Sequence, residues 1–181
     1  MAKFVLTKSK TSFTMESNDK SVDVLKTAIL LERRGKAFYT QAARQTESKS
    51  AKQIFEMMAE EEDAHIDFLT RQFKNYQEHH EFLQNEPPPE EDETVVEILS
   101  EKIKNEINAA GFEAAAISAA IDFENRAIEV YSKRAEEATD PNEKAAYQML
   151  ADWEKGHHHL LHRLNEDLKE KVWNDNNFWP F

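Results

Sequence analysis

Apolar residues recur three and four positions apart over four long stretches of this chain, which predicts helices and no strands. Residues 21–45 carry Val24, Ala28, Leu31, Phe38 and Ala42 at this spacing, with Ser21 as the expected N-cap. Residues 49–83 repeat the pattern through Ile54, Phe55, Met58, Ile66 and Leu69, behind Ser48 as cap. A third helix is expected over 112–138 and a fourth from 141 to about 172. The fourth has a strong start signal: Asp140 at the N-cap, Pro141 at the first helical position, and Glu143 spaced to close a capping box.

The segment "QNEPPPEEDE" at 84–93 breaks helix through its prolines and repels itself through its acids. Residues 94–109 predict a shorter helix ending near Gly111. Residues 84–111 therefore read as one long crossover between two hairpins, 22–83 and 112–172. Its helical part gives roughly 24 Å, and the extended remainder supplies the rest of a bundle's length. The expected fold is all-α, a four-helix bundle over 21–172 with a long crossover between helices 2 and 3. Residues 1–20 read as an N-terminal extension and 173–181 as an irregular aromatic tail.

The two hairpins are related in sequence. Residues 26–73, moved 92 positions along, fall on 118–165 without a gap. Ile29 meets Ile121, Glu32 meets Glu124, Tyr39 meets Tyr131, Glu62 meets Glu154, and His65 meets His157. This register filters the acidic run "EEEDAH" at 60–65. Glu60 falls on Asp152 and Glu61 on Trp153, so only Glu62 has a glutamate mate. Glu60, Glu61 and Asp63 are expected on a solvated face. What remains is Glu-x-x-His twice, and residues three apart share one helix face. Each of the four repeated glutamates also lies 15 residues from its turn, near residue 47 or near 139. At helical rise that is about 22 Å. Face-to-face hairpins would bring four glutamates and two histidines to one level.

Composition narrows the chemistry. The chain has 181 residues, about one domain, with only three glycines. The absence of cysteine excludes disulfides, thiolate catalysis and cysteine-ligated metal centres. It suits a reducing cytoplasm. A net charge of −12 argues against nucleic acid or an anionic membrane as partner and favours cations. No apolar run approaches the roughly 18–20 residues of a membrane span. The start "MAKFVLTKSKTSFTM" lacks the apolar core of a signal peptide.

Four inward carboxylates need positive charge, and two divalent ions balance them. Imidazole and carboxylate together suit Fe(II), Mn(II) or Zn(II). The ligand pattern, one glutamate from each of two helices and Glu-x-x-His from the other two, resembles the ferritin-like di-iron carboxylate superfamily. Within it, the chain resembles rubrerythrin-like proteins lacking the rubredoxin domain. The resemblance covers residues 22–170. It implies a ferritin-like bundle holding two iron ions. Glu62 and Glu154 would be bridging ligands, Glu32 and Glu124 terminal ligands, and His65 and His157 one per metal.

The implied activity is oxidation by dioxygen or hydrogen peroxide, of ferroxidase or peroxidase type, in oxidative-stress or iron handling. A homodimer and a separate electron-donor protein are the implied partners, since no cysteine is present to build a rubredoxin-like centre. Iron storage without turnover, or a structural metal bundle serving interactions, is the alternative. Rubrerythrins carry a further glutamate one turn after the third-helix ligand. Ala127 stands there, and its repeat mate is Gly35, so the residue that switches ligation in that family is missing. These two small residues are expected to leave room for the oxidant beside the metals. Tyr39 and Tyr131, two turns after Glu32 and Glu124, are auxiliary candidates for hydrogen bonding or electron transfer, with core packing as the alternative. His158, four residues after Glu154, is a further candidate near the metals.

Overall fold

In the computed structural model, residues 10–84, 102, 103, 106 and 111–175 are described. They form four helices and no strand: α1 Lys10–Gln45, α2 Lys49–His79, α3 Phe112–Glu137 and α4 Pro141–Asp175. The expected helix over 94–109 lies outside the described residues apart from Lys102, Ile103 and Glu106. So do residues 1–9 and the end of the aromatic tail.

Two boundaries differ from expectation. The first helix begins at Lys10, so Ser21 lies within it and caps nothing. No proline or glycine interrupts 10–20 to stop the helix propagating upstream. The second helix ends at His79, short of 83, because His80 adopts a left-handed conformation (φ 56°). The His80 N–H still bonds to the Tyr76 carbonyl, 2.9 Å away. Beyond it the Gln72 side chain accepts from the Leu83 N–H at 2.9 Å, and Asn75 Nδ2 donates to the Glu81 carbonyl at 2.7 Å. These two side chains draw the chain back along the helix it has just left.

Helices α1 and α2 pack as one hairpin and α3 and α4 as the other, and α1 also touches α3. The turns lie at opposite ends of the bundle. Near the first turn, Thr46 Oγ1 donates to Glu113 at the start of α3, at 2.6 Å. Near the second, Phe82, just past α2, packs against Tyr147 of α4. Thus α2 ends where α3 does not begin. From the intervening segment, Ile103 is buried in the core at the first-turn end, and Glu106 binds the Ser48 and Ser50 hydroxyls at 2.7 and 2.8 Å. Ser48 caps α2 as expected, accepting from the Ala51 N–H at 3.1 Å.

The core is two apolar clusters. One, at the first-turn end, gathers Ile54, Phe55, Met58, Ala120, Leu161 and Leu164 among others. The other gathers Leu25, Leu69, Ala127, Tyr147 and Leu150 with their neighbours. The buried stripe of α1 runs through Leu25, Ala28, Tyr39 and Ala42, while Val24, Leu31 and Phe38 pack along its margin.

At the α3–α4 end a buried polar cluster ties the hairpins together. Asp140 caps α4 as expected, its Oδ1 accepting from the Glu143 N–H at 2.8 Å. The Glu143 side chain does not complete a capping box. It accepts from buried Arg134 at 2.5 Å, and the Ser21 hydroxyl lies between the two. A buried guanidinium outcompetes a backbone N–H that can be satisfied elsewhere. Glu143→Ala should therefore cost about 3 kcal/mol, because it strands a buried charge. Asp140→Ala should cost about 1 kcal/mol, the ordinary value of a cap. Urea denaturation of both variants checks the order, which a simple capping box would not produce.

Candidate metal centre

Each buried stripe is broken by ionisable residues at mid-height. On α1 Glu32 lies between Ala28 and Tyr39, and on α3 Glu124 lies between Ala120 and Ala127. On α2 Glu62 and His65 lie between Met58 and Leu69, and on α4 Glu154 and His157 lie between Leu150 and Leu161. All six are buried, and Glu62 and Glu124 are fully so. Helical periodicity forces this: 58, 62, 65 and 69 occupy one face whatever their chemistry. The apolar clusters on both sides then seal the polar layer between them.

The structure brings the six side chains together as two overlapping groups. One is Glu32, Glu62, His65 and Glu154, and the other is Glu62, Glu124, Glu154 and His157. In each, one candidate ligand atom per residue lies within 4.8 Å of the others. Glu62 and Glu154 belong to both groups, the arrangement of two neighbouring cation positions sharing two carboxylates. Both histidines turn Nδ1 toward the carboxylates. His65 Nδ1 is 3.1 Å from Glu154, 3.2 Å from Glu32 and 3.5 Å from Glu62. His157 Nδ1 is 3.3 Å from Glu154 and 3.7 Å from Glu124. Both oxygens of Glu62 and of Glu154, Oε2 of Glu124 and Nδ1 of His157 are buried with no hydrogen-bond partner. Buried polar atoms are almost always satisfied. A concentration of orphaned oxygen and nitrogen atoms at one point fits a pair of divalent cations, which would displace the protons held there.

The residues around the six divide between expectation and surprise. Tyr39 donates to Glu124 and Tyr131 donates to Glu32, each reaching the other hairpin. Seven residues of helix span about 10 Å, too far to reach the glutamate on the same helix. Glu61 corrects the expectation of a solvated face. Its side chain is only 26 % exposed, and its carboxylate lies 2.8 Å from His157 Nε2. Its repeat mate Trp153 stacks on the His65 ring, with centroids 4.7 Å apart and planes within 5°. The register discards Glu61 because it detects only what both hairpins share, and the mismatch with Trp153 was the available signal. Asp63 does face outward, pairing with Lys36, and Glu60 is exposed.

Gly35 does not leave room for an oxidant. A Cβ there would lie 2.5 Å from Glu62 Oε1 and 2.9 Å from Phe123, so the Glu62 carboxylate already fills the space. His158 belongs to neither group; it is half-buried, and its ring lies 5.8 Å from that of His162.

Crowding sets the protonation of the layer. Burial, followed by the contact with Glu32, pushes Glu62 up to about 10. Burial pushes Glu124 up to about 7, against the pull of His157. Burial acts to raise Glu154 as well, but His157 and His65 on either side hold it below the usual carboxylate range. For the two histidines burial acts to lower the pKa, and the facing carboxylates outweigh it, holding both well above the usual range. The metal-free layer thus keeps protons that cations would displace.

A family model described as Rubrerythrin matches residues 23–165. No curated protein and no solved structure matches the chain. Among the described residues no helix is long and apolar enough to cross a membrane.

The geometry of the layer bears on metal affinity and on the pH dependence of stability. Gly35→Ala should favour the helix intrinsically yet weaken divalent-metal affinity at least about tenfold by displacing Glu62, read by chelator competition. Proton linkage gives the second. Glu62, Glu124, His65 and His157 all bind protons more tightly in the folded chain than in the unfolded one. Their contribution to metal-free stability is complete below the ordinary carboxylate range, and it is lost as pH rises through about 7 for Glu124 and about 10 for Glu62. The metal-free melting temperature should fall between about pH 6 and about pH 9, and saturating Mn(II) should raise it more at the higher pH, by calorimetry.

Proposed function

This chain belongs to the rubrerythrin family, and on that premise we propose that it is a non-haem di-iron oxidoreductase acting on dioxygen or hydrogen peroxide. The observation that carries the proposal is the sharing of Glu62 and Glu154 between two buried groups that each hold their own histidine. Glu32 and His65 would complete one iron position, and Glu124 and His157 the other. When bound, two ferrous ions supply two electrons to the oxidant, one from each.

The chain's own residues hold and insulate that centre. Tyr131 and Tyr39 each fix a terminal carboxylate from the opposite hairpin, so neither hairpin can shift without disturbing both positions. The apolar clusters above and below keep bulk water from the layer, which strengthens every electrostatic interaction inside it. Ala127 offers no carboxylate with which to change ligation. Without cysteine the chain has no rubredoxin-like relay, so a separate donor protein returns the electrons. A homodimer in a reducing cytoplasm completes the reading.

Anaerobic protein loaded with Fe(II) should develop ferric absorption when air or peroxide is added, with two irons per chain. The double variant Glu62→Ala/Glu154→Ala should not. An identical response from both proteins would sink the proposal. A cage-sized assembly on size exclusion, together with slow oxidation, would point to iron storage in its place.

A further inference from the structure

The pseudo-symmetry of the layer fails at one pair of positions, and the failure falls on the histidines. His157 Nε2 faces the Glu61 carboxylate at 2.8 Å. At the equivalent place His65 meets the face of Trp153, an indole in place of a carboxylate. We propose that the two cation positions are unequal: Glu61 makes the position of His157 the tighter, first-filled one, and Trp153 leaves that of His65 weaker. The inference rests on the di-metal reading above.

The physical reason is the second nitrogen of each ring. A carboxylate on Nε2 fixes that nitrogen as the donor, so Nδ1 keeps its lone pair and points it at the layer. The same contact fixes the ring orientation and makes Nδ1 a stronger donor to a cation. It also places a negative charge behind the ligand, only partly screened by solvent at 26 % exposure. Trp153 fixes the plane of His65 by stacking and is itself braced edge-on by Phe68, with centroids 5.5 Å apart. The indole offers no acceptor to the second nitrogen. Its face does favour a ring made more positive by ligation, but less strongly than a charge-assisted hydrogen bond. Glu61 is therefore a positioning residue acting through His157.

The test is stepwise Co(II) binding to the full chain, followed by calorimetry and by proton NMR of the shifted histidine ring N–H signals. One equivalent should give a single shifted N–H, that of His157, slow to exchange with solvent because Glu61 holds it. Glu61→Ala should weaken the first binding step about 10–100-fold and speed exchange of that signal. Glu61→Gln, which keeps an acceptor without the charge, should fall between. Trp153→Glu supplies the missing carboxylate and should tighten the second step. If that variant folds poorly, Trp153→Phe should leave the first step unchanged. A first step indifferent to Glu61→Ala, or a first N–H signal that moves with Trp153→Phe and ignores Glu61, would overturn the inference while leaving two metals per chain intact. Failure of the wild-type chain to bind Co(II) at all would overturn both readings.

Discussion

Four carboxylates and two imidazoles are buried at mid-height between two apolar clusters, and the rest of the molecule is arranged around that burden. An isolated charge in such a place is costly, and the groups relieve the cost by holding protons or by binding cations. The raised pKa values of Glu62, His65 and His157 are the first remedy in the metal-free layer. The orphaned oxygens of Glu62 and Glu154 show where the second would act. A bundle with leucine at these positions would be easier to fold. Keeping acids there is a loss of stability that function has to justify.

The helices meet this demand with rigid supports. The bare backbone at Gly35 lets the Glu62 carboxylate and the Phe123 ring both approach α1 closely. The tyrosines cross between hairpins, which couples the two halves through Glu124 and Glu32. At the far end Arg134, Ser21 and Glu143 make a second buried link between α1 and the α3–α4 hairpin. The layer is thus held from within and from both ends by polar contacts, with apolar packing filling the intervals.

The repeat explains both the success and the failure of reading the layer from sequence. Glu62 and Glu154 share the register, so they separate cleanly from the acids beside them. Glu61 does not share it, so the register groups it with Glu60 and Asp63. A filter built on symmetry is blind to the residues that make two equivalent positions different. The tyrosines show a related limit. Their spacing from Glu32 and Glu124 is legible, but spacing along one helix does not tell which neighbouring helix a side chain reaches. Ser21 and Glu143 carry strong local capping signals, which buried Arg134 overrides in one case and an unbroken upstream helix in the other.

Four long helices, two related hairpins, and six residues on one face at one height are all legible along the chain. Those properties follow from helical rise and periodicity, which are local and nearly independent of context. The packed structure added that Gly35 makes way for Glu62, that each tyrosine serves the opposite hairpin, and that Glu61 and Trp153 back the two histidines differently. Those are contacts between helices. They depend on how side chains interdigitate across an interface, and no periodicity along a single helix encodes that.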